Sequence, residues 1–281
     1  MALPTEFLIG LATTLLGAGI LLAFERLMRR AWRRPVRKFW HGFRREVVVM
    51  TTEYMVAKPE ELTANLSRRE EGSILLKEAT GNDQFIAAKA TSGYMLSYAM
   101  AESLSRLCTF FEKNLGANVR SIGDKGHSQP REGRSLVVLG SPIANRYLKG
   151  QIADFAREYP LLAHFGWDLG DSGVELTLPD GEKLVPQVDQ WENGIDYALI
   201  ACFTLDPANK QQIVMIAGCN MWGTEAATRF LLDPRRVRSL PKGKRRRRTG
   251  FAFVIRTRVS DGVPERMDLH RRDDGSIIYD L

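Results

Sequence analysis

Two glycine turns carry the groups a small ligand would need. Gly140-Ser141-Pro142, with Asn145 close behind, follows the apolar run Ser135–Leu139, and Gly218-Cys219-Asn220-Met221-Trp222-Gly223-Thr224 follows Gln212–Ala217. A turn leading from a strand into a helix presents backbone N–H groups and the positive end of the helix dipole, which suits a phosphate or carboxylate. Trp222 adds a ring that can stack on a base. The candidate ligand-binding set is Gly140, Ser141, Asn145, Gly218, Asn220, Trp222, Gly223 and Thr224, and the expected ligand is nucleotide-like or another small anion.

The same residues have a plainer reading. Glycines relieve crowding where strand meets helix, Ser141 and Asn145 cap the helix that follows, and a tryptophan in such a place anchors the core. Gly218 and Gly223 have the spacing of a phosphate-binding loop, but Thr224 follows Gly223 directly, so the lysine that contacts the outer phosphates is missing. Triphosphate hydrolysis is not expected from this motif.

Catalytic residues are not identified by any motif, and Asp196 and Glu225, with Glu192 behind them, are the candidate acids because they fall near strand or loop ends. His41, His127, His164 and His270 lack the spacing of a metal site or a Ser–His–Asp arrangement. No cofactor is specified. Cys108, Cys202 and Cys219 are too few and too scattered for a disulfide framework, which favours a reducing compartment.

The formal charge of +7 is not spread along the chain. Residues 25–45 hold nine Lys or Arg against Glu25 alone, whereas 46–281 holds 31 basic and 31 acidic residues. The basicity therefore marks a position and argues against nucleic acid as a partner. Immediately before it, Phe7–Phe24 is an uncharged, proline-free run of 18 residues, about 27 Å as a helix and just long enough to span a bilayer. With Arg26, Arg29, Arg30, Arg33 and Arg34 all C-terminal of the run, the positive-inside rule places the N-terminus outside an inner cell membrane and the remainder in the cytoplasm. Gly10, Thr13, Thr14 and Gly17 have small side chains that would let two such spans approach, the seam a homo-oligomer would use.

In the flank, Met28, Trp32, Val36, Phe39, Trp40 and Phe43 recur at helical spacing opposite the arginines. Such a face can lie along anionic headgroups, with Arg29, Arg30, Trp32, Arg33, Arg34 and Trp40 as membrane-contacting residues, or pack as a connecting helix. Pro35 predicts a break there. A second basic block, Arg235, Arg236, Arg238 and Lys242–Arg248, is a further candidate for anionic lipid.

The remaining pattern supplies the scaffold. Glu46–Thr52 and Ser135–Leu139 read as buried strands, Tyr94–Leu115 as a helix, and Gly140 leads into a helix ending near Tyr159. Val174–Val185 reads as a hairpin about Asp180-Gly181. Tyr197–Thr204 and Gln212–Ala217 are closely spaced strands, Glu225–Leu232 a helix, and Phe251–Val259 a terminal strand. The expected fold is α/β: an N-terminal transmembrane helix (1–25), a basic juxtamembrane helix (26–45), and a cytoplasmic Rossmann-like mixed sheet domain with β-hairpin additions (46–281). The function expected is a membrane-anchored binding or signalling module for an anionic small molecule. A membrane-tethered nucleotide-cleaving hydrolase and a non-catalytic scaffold are the alternatives.

Overall fold

The computed structural model describes residues 32–43, 45–52, 54–55, 74–75, 85–86, 94–95, 97–123, 134–170, 173–189, 192–206, 211–240, 250–271 and 278–281. The apolar run 7–24, Arg29, Arg30 and the block 242–248 lie outside these residues. Among the described residues no helix is long and apolar enough to cross a membrane.

Helix α1 (Arg34–Phe39) carries Pro35 in its first turn, where its fixed φ and missing N–H are tolerated, and Arg33 just before it is in a turn, in keeping with the expected break. The valine run gives β1 (Glu46–Thr51), buried from Val47 onward. Two short antiparallel ladders follow, β2 (Tyr54–Met55) with β5 (Tyr94–Met95) and β3 (Ile74–Leu75) with β4 (Phe85–Ile86). Ser97 then caps α2 (Tyr98–Phe110), its Oγ accepting from the Met100 N–H at 3.3 Å. The helix therefore begins later than the apolar spacing alone predicts. A π-helical turn, Phe111–Leu115, carries it to Gly116, which takes the left-handed conformation at φ 64°.

Next come β6 (Asn118–Gly123), β7 (Ser135–Leu139) and α3 (Arg146–Glu158), then an arm of β8 (Gly166–Gly170), β9 (Gly173–Thr177) and β10 (Lys183–Leu184). The expected hairpin is present: β9 pairs antiparallel with β10, and Gly181 turns between them at φ 91°. After β11 (Gln187–Val188), β12 (Gly194–Asp206) and β13 (Gln211–Gly218) form an antiparallel pair. The chain ends through α4 (Met221–Leu232), α5 (Pro234–Ser239), β14 (Phe251–Ser260), β15 (Val263–Leu269) and β16 (Tyr279–Asp280).

The large sheet runs β15-β14-β12-β13-β7-β1-β6, with β11 added on β12 and β16 on β14. Its half β13-β7-β1-β6 is parallel, and β12, β14 and β15 extend it antiparallel. Strands β6 and β7, consecutive in the chain, flank β1 on opposite sides, so the strand order reverses beside β1. This is a mixed α/β architecture with a Rossmann-like parallel half.

Two cores sandwich the sheet. Val47, Val49, Val137, Leu139 and Ile216 pack with α1, α2 and α4 on one face. Val48, Met50, Leu136 and Val138 pack with Leu148 and Phe155 of α3 on the other. Alternate residues of one strand feed opposite cores, and each fully buried Val, Leu or Phe contributes about 1.5–3 kcal/mol.

The flank is corrected by this packing. Val36, Trp40 and Phe43 are at most 1% exposed, and Trp40 meets Phe39, Phe43 and Phe111 edge-on while donating its indole N–H to the Leu231 carbonyl at 3.2 Å. Trp40 belongs to the protein core and cannot lie on headgroups in this fold. The Trp40 ring is enclosed by Phe39, Phe43 and Phe111 and its N–H is satisfied by α4. Trp32, Arg33 and Arg34 remain exposed.

Candidate functional site

Because β7 and β13 are parallel neighbours, the two glycine turns leave the same edge of the sheet side by side. The Gly140 N–H donates to the Ile216 carbonyl at 2.9 Å. The structure thus brings all eight candidate ligand residues to one region, at the strand ends where open α/β sheets bind ligands.

Their polar groups are directed at the protein itself. Helix α4 begins at Met221, so Met221, Trp222, Gly223 and Thr224 form its first turn rather than a loop. The N–H groups at its start meet an internal carboxyl group. Asp196, at the start of β12, is fully buried; its Oδ2 accepts from Gly223 N–H at 2.6 Å, and Oδ1 accepts from Asn220 N–H at 3.2 Å and Tyr197 N–H at 2.8 Å. A strand antiparallel to β13 is what puts this carboxylate there, with Ala198 in register with Gly218. Burial raises the Asp196 pKa to about 7, while the three donors pull it down.

Thr224 closes the turn, its Oγ1 accepting from Gly218 N–H at 3.2 Å. The glycines have a steric explanation as well. A Cβ on Gly223 would stand 2.2 Å from the Tyr197 carbonyl oxygen, and one on Gly218 would stand 2.4 Å from the Thr224 nitrogen. Trp222, 7% exposed, packs with Ala99, Met221 and Val259 as a core anchor. Gly173 of the β8–β9 arm approaches so closely that its Cβ would meet Asn220 Oδ1 at 2.2 Å.

The Gly140 turn is bound in the same way. Asn145 caps α3, accepting from Leu148 N–H at 2.9 Å while its Nδ2 donates to the Leu139 carbonyl at 3.0 Å. Thr52 Oγ1 donates to that same carbonyl at 3.1 Å. Ser141 Oγ accepts from Ala144 N–H at 3.4 Å, and Ser141, Asn145 and Thr52 are all buried. Gly140, at φ 105°, leaves room for the Thr52 hydroxyl, which a Cβ would strike at 2.1 Å. The N–H groups of Gly140, Gly218, Asn220 and Gly223 and the Asn145 amide are thus used to knit β7, β12, β13 and the helix starts together.

Neither candidate acid faces open space. Glu225 is 2% exposed on α4 and ion-paired with Arg229, with burial the main cause of its raised pKa. Glu192 is in a turn at φ 59° and is half-buried. Burial raises the Cys202 and Cys219 thiols well above their ordinary range.

A different cluster escaped the sequence reading. Arg256 and Arg258 stand at alternate positions of β14, exposed, on the face that carries Ala252 and Val254 into the α3-side core. Arg266 of β15 is in register with Arg258, and Asp268 with Arg256. With Gly194 and Ile195 of β12 they floor a cleft of about 590 Å³. The signal was present as an R-x-R pair in a strand, where alternation predicts one shared face. What was missing was the identity of the partner strand. Comparison with known protein families, curated proteins and solved structures finds no match for this chain.

Proposed function

We propose that the chain is a membrane-tethered binding or signalling module that senses a small anionic molecule without transforming it. Residues 1–25 anchor it, and its folded domain rests on anionic lipid. The observation that carries the membrane reading is the pairing of α1 with α5. These helices, nearly 200 residues apart in sequence, lie against each other. Exposed Arg33, Arg34, Arg37 and Lys38 are thereby joined to exposed Arg235 and Arg238. A shallow cleft of about 420 Å³ between them is lined by Trp32, Arg33, Pro234 and Arg235. Clustered cations next to an interfacial tryptophan suit an anionic bilayer surface, at about 1 kcal/mol per cation near the membrane.

Sensing is preferred over catalysis because Asp196 and Glu225, the acids best placed in sequence, are buried and engaged with the protein's own N–H and guanidinium groups. The test is tryptic cleavage of the full chain in nanodiscs, read by mass spectrometry. Cleavage after Arg37 and Arg238 is expected to be slower in phosphatidylserine than in phosphatidylcholine discs, and high salt should abolish the difference. Equal rates in the two lipids would remove the membrane face.

A further inference from the structure

The arginine cleft on β12, β14 and β15 has the features of an anion site. Arg256 and Arg258 share a face because strand residues alternate. Toward the middle of the sheet this face is sealed by the α3-side core; beyond Val254 its residues become cationic and exposed. Arg258 is directly opposite Arg266, a like-charge pair that an antiparallel ladder does not favour. Asp268, in register with Arg256, pairs with Arg266 at 2.7 Å. Among the described residues, the guanidinium groups of Arg256 and Arg258 have no hydrogen-bond or ion-pair partner.

Two turns build the rim. The non-glycine residues with positive φ among the described residues are Glu192 at 59° and Asp261 at 49°, and both stand in turns at this cleft. The turns are tied together: Gly262 N–H donates to the Glu192 carbonyl at 3.1 Å, and Asp261 N–H to Asn193 Oδ1 at 3.0 Å. Asn193 and Ser260, their neighbours, line the cleft. Asp261 and Gly262, at φ 49° and 70°, are the two-residue turn of the β14–β15 hairpin, and with the Glu192 turn they fix the rim beside the arginines.

We propose that this cleft binds a small molecule carrying adjacent phosphate groups, held by Arg256, Arg258 and Arg266. The proposal rests on the reading of the chain as a sensor of small anions, and moves the site from the glycine turns to the sheet face. Guanidinium groups grip phosphate oxygens in pairs, and two on one strand with a third opposite match neighbouring phosphates better than a single carboxylate. The volume lies within the range of small-molecule sites.

The probe is inorganic pyrophosphate, titrated calorimetrically into the detergent-solubilised full chain at low salt, with a nucleoside diphosphate in parallel. Tighter binding of the nucleotide would name it as the source of the phosphates; equal binding would name the pyrophosphate group alone. Arg256→Gln and Arg258→Gln are each expected to weaken binding about tenfold or more. The melting temperature of ligand-free Arg258→Gln should equal or exceed that of the wild type, because a like-charge pair is lost, while the pyrophosphate-induced rise in melting temperature disappears. That split separates a binding role from a structural one. Unchanged affinity in both variants would overturn the site. If Arg146→Gln, beside the Gly140 turn, lost binding while Arg258→Gln kept it, the site would fall and anion sensing would stand. No binding of either probe would overturn both.

Discussion

The start of helix α4 and the arginine cleft both offer positive charge to an anion, and they treat it in opposite ways. At α4 the donors are backbone N–H groups and the acceptor is built in: the Asp196 carboxyl takes the N–H groups of Gly223 and Asn220, with that of its neighbour Tyr197. At the cleft the donors are guanidinium groups, two of them without an acidic partner among the described residues, in open contact with solvent. The first region converts positive potential into stability. The second keeps it, at the cost of cross-strand repulsion. A glycine-rich turn before a helix offers a ligand only the donors that remain free, and here those of Gly140, Gly218, Asn220 and Gly223 are taken by the protein.

The largest effects should come from breaking the sealed region. Asp196→Ala leaves the buried Gly223 N–H without an acceptor, at about 1–3 kcal/mol, together with the part-buried Asn220 and Tyr197 N–H groups, and is expected to lower the denaturation midpoint by an amount equivalent to at least about 2 kcal/mol. Gly223→Ala should cost about 1–3 kcal/mol, because the new methyl meets the Tyr197 carbonyl; circular-dichroism melts will read both. Wild-type levels in either variant would mean that the turn tolerates an open arrangement and resembles the cleft after all.

A smaller effect concerns pH. The folded state holds the Asp196 proton up to about pH 7, against an ordinary value of 3.8. A raised carboxyl pKa means that the folded state binds more protons than the unfolded state between those values. Its contribution is full below 3.8 and is lost as pH rises toward 7. Wild-type melting temperature should therefore fall across this window, and Asp196→Asn, which cannot titrate, should show a flatter profile. The smallest effect belongs to the cleft: Arg258→Gln without ligand should shift stability upward by only about 0.2–1 kcal/mol, and a fall of several kcal/mol would make Arg258 a structural residue.

How much of this was legible in the sequence differs by residue. The valines of Glu46–Thr51 and Ser135–Leu139 are buried on both sides, so local composition sufficed to place those strands. Val174–Val185 declared its hairpin through Asp180-Gly181. The eight turn residues were correctly assembled at one sheet edge, because strand-turn-helix order constrains where turns emerge. Their occupancy was not legible: Asp196 reaches Gly223 only because β12 runs antiparallel to β13, a pairing no local pattern states. Trp40 failed for a similar reason. Its helical spacing with Val36 and Phe43 is correct, but amphipathic spacing does not say whether the apolar face meets lipid or Phe111 and Leu231. Arg256 and Arg258 drew no notice because their meaning depends on Arg266 arriving in register.

The most direct test is hydrogen–deuterium exchange of the full chain with and without saturating pyrophosphate. Protection is expected over 251–260 and 263–269, with 139–145 and 218–225 unchanged. Protection confined to the two glycine turns would contradict the assignment and return the ligand to the region that Asp196 now fills.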